Sequence, residues 1–192
     1  MHMKYLSDTE IRSLELKANE VRQSIIEMLV EAGSGHTAGP LGMADIFTLL
    51  YFDIMKHNPS DPDWEERDRL VLSNGHICPV LYATMAHAGY FDIEELLTLR
   101  KFGSRLQGHP HREALPGIET SSGPLGSGLS QAVGMALAER MDNEYSAKNF
   151  YCITGDGEWN EGQMWEAALL AGKEQLHNLI VIVDRNGIQI DG

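Results

Sequence analysis

The sequence predicts an α/β fold, a doubly wound, mostly parallel sheet flanked by helices. Three observations carry that expectation. Short apolar runs at 69–73, 149–154 and 179–183 alternate with longer segments of helical periodicity. The run Leu179-Ile180-Val181-Ile182-Val183 is unbroken, as suits a strand buried on both faces of a parallel sheet. Each run ends in a punctuated turn: Ser73-Asn74-Gly75-His76, Gly155-Asp156-Gly157 and Asp184-Arg185-Asn186-Gly187. In open parallel sheets, ligands collect beyond such carboxyl ends.

From the amino end, Ser7-Asp8-Thr9-Glu10 has capping-box spacing. It opens a helix in which Ile11, Leu14, Ala18, Val21, Ile25, Met28 and Leu29 recur at helical spacing until Gly33. Residues 33–40 form a glycine-rich break, 43–55 a second helix, and 57–66 a polar, proline-marked loop. Residues 61–68 read as a solvated loop and helix start. The strand 69–73 leads to a helix at 78–88, and Asp92 caps a short helix ending at Leu99. Residues 103–128, dense in Gly, Pro, Ser and His, are the least regular. A helix rich in Ala and Gly follows at 129–140, then the strand 149–154, a helix at 162–175 and the strand 179–183. The expected organisation is one domain over residues 1–192, short of the last elements of a parallel sheet.

The 192 residues are 43% hydrophobic, with Lys+Arg 15 against Asp+Glu 28, a net charge of −13. That field repels nucleic acid and anionic membrane surfaces, and neither is an expected partner. An anionic ligand must then be held locally, by a metal, helix N-termini or a few histidines. Cys78 and Cys152 stand in apolar contexts and read as buried free thiols. The start MHMKYLSDTE shows no basic-then-apolar leader, and no apolar run approaches the ~20 residues of a membrane span. A cytoplasmic protein is expected.

The chemistry concentrates at the strand ends. Asp156 and Asn186, 30 residues apart, both leave such ends. A carboxylate and an amide oxygen are hard ligands, suited to Mg²⁺ or Ca²⁺ and not to zinc. Magnesium takes one or two protein carboxylates and completes its shell with water and phosphate oxygens, so this pair fits a metal shared with a diphosphate. Gly157 allows close backbone approach to a phosphate, and a following helix would aim N–H groups at it. A turn aspartate and an Asn-Gly turn are the structural alternative for each motif alone. No G-x-x-x-x-G-K-[ST] loop or G-x-S-x-G elbow is present, and Gly123, Gly126 and Gly128 lack the G-x-G-x-x-G spacing.

Gly155-Asp156-Gly157 with the distant Asn186 resembles the thiamine-diphosphate motif. The fuller resemblance is to transketolase. It rests on Ser34-Gly35-His36 with Gly42-Met43-Ala44-Asp45, on Ser73-Asn74-Gly75-His76 and on Gly108-His109-Pro110. It continues through Ser122-Gly123-Pro124-Leu125-Gly126 with Gly128 and Ala132-Val133-Gly134, then Asn186-Gly187-Ile188 with Ile190-Asp191-Gly192. Glu161-Gly162-Gln163-Met164-Trp165-Glu166-Ala167 is most similar to transketolases split between two polypeptides, with this chain as the N-terminal, diphosphate-binding subunit.

The resemblance implies thiamine diphosphate with Mg²⁺ (or Ca²⁺), the metal held by Asp156, Asn186 and the carbonyl of Ile188. Gly157 would meet the diphosphate. Gly123 and Leu125 would meet the aminopyrimidine and bridging region, and His76 the diphosphate side. His36 and His109 would face the sugar phosphate substrate, with His109 near the reacting carbon. Glu161 would lie at a subunit interface in a carboxylate pair. His57, His87, His111 and His177 have no motif support and read as surface or turn residues; Trp159 and Trp165 read as core or interface anchors. The family's catalytic glutamate lies in a pyrimidine-binding domain, which is expected on a C-terminal partner subunit in a homodimer of heterodimers. Alone, the chain is expected not to turn over substrate. Two alternatives stand beside this reading: half of a pyruvate-using synthase resembling 1-deoxyxylulose-5-phosphate synthase, and a non-catalytic truncated paralogue.

Overall fold

The computed structural model describes residues 5–143, 145–189 and 192. Helix α1, Asp8–Ala32, opens on the expected box: the Glu10 N–H donates to the Ser7 hydroxyl oxygen, and the Ser7 N–H donates to the Glu10 carboxylate. Gly33, at φ 62°, turns the chain out of α1 in the left-handed conformation that glycine adopts without a Cβ clash. The break that follows contains a short helix, α2, Ala38–Gly42. The expected helix at 43–55 is α3, Ala44–Leu49, continued by a π-helical turn, Leu50–Ile54, which the Met55 N–H closes onto the Leu50 carbonyl at 2.7 Å.

Strand β1, Arg69–Leu72, leads through a 3₁₀ turn, Gly75–Ile77, into helix α4, Cys78–His87. The helix expected after Asp92 is a 3₁₀ segment, Ile93–Thr98, and the Asp92 side chain makes no cap bond. Helix α5, Ser127–Asp142, strand β2, Phe150–Gly155, helix α6, Gly162–Lys173, and strand β3, Leu179–Asp184, complete the order.

The strands form one parallel sheet, β1-β2-β3, in the register Leu70↔Tyr151↔Ile180 and Val71↔Cys152↔Val181. Alternation gives it two faces. Leu70, Leu72, Tyr151 and Ile153 pack with Ile25, Met28, Phe47 and Tyr82 of α1, α3 and α4. Val71, Phe150 and Cys152 pack with Leu129, Ala132, Ala136, Met164 and Ala167 of α5 and α6. Cys78 and Cys152 are buried free thiols, as read. No described helix is long and apolar enough to cross a membrane.

Two expectations about burial are corrected. Strand β3 is not covered on both faces: Ile180 and Ile182 touch the first core, whereas Val181 and Val183 remain 36% and 41% exposed. The cause is position. β3 borders the described sheet, and α5 and α6 sit over β1 and β2, leaving an open groove of about 440 Å³ between α6 and Val181. Residues 61–66 are the largely exposed loop expected, but no helix starts there and the last two residues of the segment are not solvated. Arg67 and Asp68 are buried: Arg67 pairs with Glu119, and Asp68 accepts the N–H groups of Lys56 and Asn149, joining the entry of β1 to that of β2.

Candidate functional site

Because the strands are parallel, the three turns leave the same edge of the sheet. The first is drawn tight by glycine. A Cβ on Gly75 would stand 2.4 Å from the Ser122 Cβ, 3.2 Å from His109 Cδ2 and 3.4 Å from the Gly123 nitrogen. Only a residue without a side chain lets the 73–76 turn close onto the segments carrying His109 and Gly123. Helix α4 fixes the His109 loop from below: Cys78 Sγ donates to the Gly108 carbonyl at 3.2 Å, and the Tyr82 hydroxyl to the Gln107 carbonyl at 2.9 Å. The Arg100 side chain passes over Gly108, where a Cβ would stand 2.7 Å from its Nε, while a Cβ on Gly35 would meet Leu29 Cδ2 at 2.5 Å. His36, following Gly35, sets its ring 4.9 Å from that of His76.

His36, His76 and His109 thus come from three distant segments to one cleft. Beside it lies an open pocket of about 450 Å³ bordered by Arg100, Ser104, His109, His111 and Ser121. Burial lowers the His76 pKa below its ordinary value, and the charges of His36 and His109 lower it further, against an opposing effect of Asp184. Burial also lowers that of His109, followed by Arg100 and His36. Both rings are therefore neutral at pH 7, each with one N–H donor and one acceptor nitrogen.

A pH dependence follows. His76, His109 and, by its own burial, His87 have folded-state pKa values depressed from 6.5. Below that pH the unfolded chain binds protons that the folded chain resists, so stability is lost as pH falls through 6.5 and levels off below the folded values. The melting temperature should drop between neutral and mildly acidic pH, and His76→Gln should flatten the drop. An unchanged slope in that variant would remove His76 from the effect and leave it to His109 and His87.

The other two turns meet each other. Asp156 Oδ2 accepts the Gly187 N–H at 2.8 Å, tying the exit of β2 to that of β3 beside Asn186. Asn186 turns inward on its own loop: Oδ1 accepts the Ile188 N–H at 2.9 Å, and Nδ2 donates to Asp184. An amide oxygen has two lone pairs, so this bond leaves one for a cation. Ile188 is exposed, and Ile190 and Asp191 of the last motif lie outside the described residues. Among the described residues no three His, Cys, Asp or Glu side chains group as metal ligands. The expected set contains one carboxylate and draws its remaining oxygens from an amide and a carbonyl.

Two details differ from the sequence reading. The segment after Gly155 is a 3₁₀ turn, Asp156–Asn160, and α6 starts only at Gly162, so the helix that follows does not begin beside Gly157. His57 and His87 are half-buried and bonded to the protein, not free surface residues. His57 bonds to the Tyr51 carbonyl and the Tyr90 hydroxyl, and His87 to the Ser24 hydroxyl. Trp159 is half-buried and meets the exposed Trp165 edge to face at 5.1 Å. Leu125 and Glu161 are exposed, the first with its carbonyl bonded by Gln163 Nε2 and the second at the N-cap of α6.

Two buried groups in the site escaped the sequence reading. Asn74 Oδ1 is buried and has no hydrogen-bond partner among the described residues. Glu158, 1% exposed, accepts bonds from Ser73, Gly126 and Gly155. No sequence motif marked the latter, since Gly155 has no side chain with which to complete a capping box.

The family described as transketolase, thiamine diphosphate binding domain, matches residues 14–192. The chain is 46% identical to the 6-deoxy-6-sulfo-D-fructose transketolase subunit SqwG of Clostridium sp. (strain MSTE9), over 97% of this chain and 67% of that one. It is 43% identical to an apulose-4-phosphate transketolase subunit of Phocaeicola vulgatus, over 95% and 64%. The solved transketolase of Leishmania mexicana superposes with a TM-score of 0.87 at 40% identity, covering 98% of this chain and 28% of that one. The chain thus spans about two thirds of each relative named as a subunit and little more than a quarter of the undivided enzyme. On these grounds the chain belongs to the transketolase family, as a thiamine-diphosphate-binding domain.

Proposed function

We propose that this chain is the diphosphate-binding subunit of a split transketolase, which moves a two-carbon ketol unit from a ketose phosphate to an aldose phosphate. The observation that carries this reading is the meeting of His36, His76 and His109 beside the joined turns of Asp156 and Gly187. The catalytic acid is supplied by a partner subunit carrying the pyrimidine-binding domain, in a homodimer of heterodimers. Two relatives are themselves named as subunits, and their names specify ketoses with an anionic group, a sulfonate in one and a phosphate in the other. A ketose with an anionic group is accordingly the substrate class.

The residues fit the cofactor. Asn74 Oδ1 is a buried acceptor with no described partner, in the turn that borders the cleft, and Gly75 keeps the cleft narrow. The donors at the 156 and 186–188 turns are oxygens, as a Mg²⁺-held diphosphate requires. Asp156, Asn186 and the Ile188 carbonyl would hold the cation, Gly157 would lie along the diphosphate, and Gly123 and Leu125 along the aminopyrimidine and bridge. When bound, thiamine diphosphate supplies the nucleophilic carbon that breaks and re-forms the sugar's carbon–carbon bond. The chain's own task is orientation and proton handling. His36 and His109 hold the sugar hydroxyls, and His109 accepts and returns a proton as an alkoxide develops. His76 orders the diphosphate side.

Ketol transfer assayed with the copurified partner, Mg²⁺ and thiamine diphosphate tests the reading. Activity with a ketose phosphate donor is expected; acetyl transfer from pyruvate without ketose cleavage would overturn it. Glu161 offers a separate check. Its side chain makes no cap bond to α6, so Glu161→Ala should leave the fold intact and weaken association between paired subunits. Sedimentation at several concentrations reads the change, and an unaltered assembly constant would remove Glu161 from the interface.

A further inference from the structure

Glu158 is a buried carboxylate with no ion-pair partner among the described residues, and the proposed reaction gives it no task. One oxygen, Oε1, accepts the Ser73 hydroxyl at 2.7 Å and the Gly126 N–H at 2.9 Å. The other, Oε2, accepts the Gly155 N–H at 3.0 Å. The three donors belong to three separate parts of the site. Ser73 ends β1 and begins the His76 turn; Gly126 closes the Gly123–Leu125 segment at the N-cap of α5; Gly155 ends β2 immediately before Asp156. A charge taken from water is stable only when such donors surround it, and the dipole of the 16-residue α5 adds to their effect.

We infer that Glu158 is a positioning residue that sets the distance between the two halves of the cofactor cradle, the aminopyrimidine segment at Gly123–Leu125 and the metal turn at Asp156. The inference rests on the cofactor reading above and deepens it. Close packing supports a fixed geometry: a Cβ on Gly128, in the first turn of α5, would stand 2.5 Å from the Ser73 Cβ, so α5 cannot slide against β1. The carboxylate closes the remaining side, between α5 and β2. A rigid link of this kind lowers the ordering cost of a ligand that touches both halves.

Glu158→Gln separates positioning from mere stability. With its amide oxygen toward Ser73 and Gly126, glutamine keeps two bonds, but its NH₂ then faces the Gly155 N–H, two donors opposed. The strain falls on the turn that carries Asp156. Ser73→Ala, by contrast, removes one hydroxyl from the same carboxylate and strands no backbone group. The test titrates the copurified assembly with thiamine diphosphate at fixed Mg²⁺, following tryptophan fluorescence, since Trp159 is the next residue and donates to Thr154 at 3.2 Å. Melting temperatures are measured without cofactor.

Glu158→Gln should bind about 10–100-fold more weakly, the usual cost of losing a group that holds a metal ligand in place. Ser73→Ala should lower the melting temperature while its affinity stays within about threefold of wild type. Wild-type affinity in Glu158→Gln, or equal losses of affinity in both variants, would overturn the inference. If Glu158→Gln does not fold, Glu158→Asp, one methylene shorter, carries the same comparison. Absence of binding by the wild-type assembly would instead overturn the cofactor reading itself.

Discussion

Replacing Asp156 with alanine is expected to abolish metal-dependent binding of thiamine diphosphate. Asp156 is the only carboxylate in the proposed cation set, and its Oδ2 also holds the Gly187 N–H, so the substitution removes a ligand and releases the neighbouring turn. Loss of a residue that merely orients a ligand costs about 10–100-fold in metal affinity. Loss of the one anionic ligand should exceed that range and put binding beyond calorimetric detection. Asp156→Asn separates the two effects, because an amide oxygen can still accept the Gly187 N–H while the charge is gone. If Asp156→Asn binds nearly as well as wild type, the residue serves the turn and not the cation. If Asp156→Ala itself keeps full affinity, the metal site lies elsewhere.

What the sequence made legible was local. Ser7, Glu10 and Gly33 bound α1 through contacts reaching at most a few residues, and the structure has them as read. The strands and the helices α4, α5 and α6 emerged within a few residues because hydrophobic periodicity and glycine punctuation are properties of short windows. Readings that depended on distant partners failed. His57 and His87 looked like surface residues because Tyr90 and Ser24, which bond them, are far along the chain. Arg67 looked solvated because Glu119 is 52 residues away. The apolar run of β3 predicted burial on both faces, but a strand's composition cannot report which helices reach over it, and α6 stops short of Val181 and Val183.

The site divides in the same way. Its glycine-flanked histidines and its Asp156 and Asn186 turns announced themselves as motifs, and the resemblance to transketolase ordered them. Glu158 did not. Its partners Ser73 and Gly126 are 85 and 32 residues distant, and in sequence it is one more acidic residue in a chain that carries 28. Asn74 stood out only as part of a turn, and its burial without a partner reveals it as an open acceptor. Groups that touch a ligand sit in short recognisable strings; groups that hold those strings together are found only after folding.

His109→Ala should slow turnover by about 10²–10⁴-fold, the usual value of a positioned proton-transfer group, while thiamine diphosphate affinity stays near wild type. The contrast with Asp156 follows from position. His109 stands at the mouth of the cleft beside the open pocket, on a loop pinned from α4 through Gly108 and Gln107, and it bonds to neither metal turn. Its removal takes away a donor and acceptor without releasing the loop. The pH profile supplies a second reading. Burial and the adjacent Arg100 hold the imidazole pKa below 6.5, so the neutral ring persists into mildly acidic solution and the acid limb of activity should fall below that value. Since His36, His76 and His109 influence one another, that limb belongs to the cluster and should shift, not vanish, when His109 is replaced. Wild-type rates in His109→Ala, or an acid limb above pH 6.5, would remove this histidine from proton transfer and leave it a wall of the cleft.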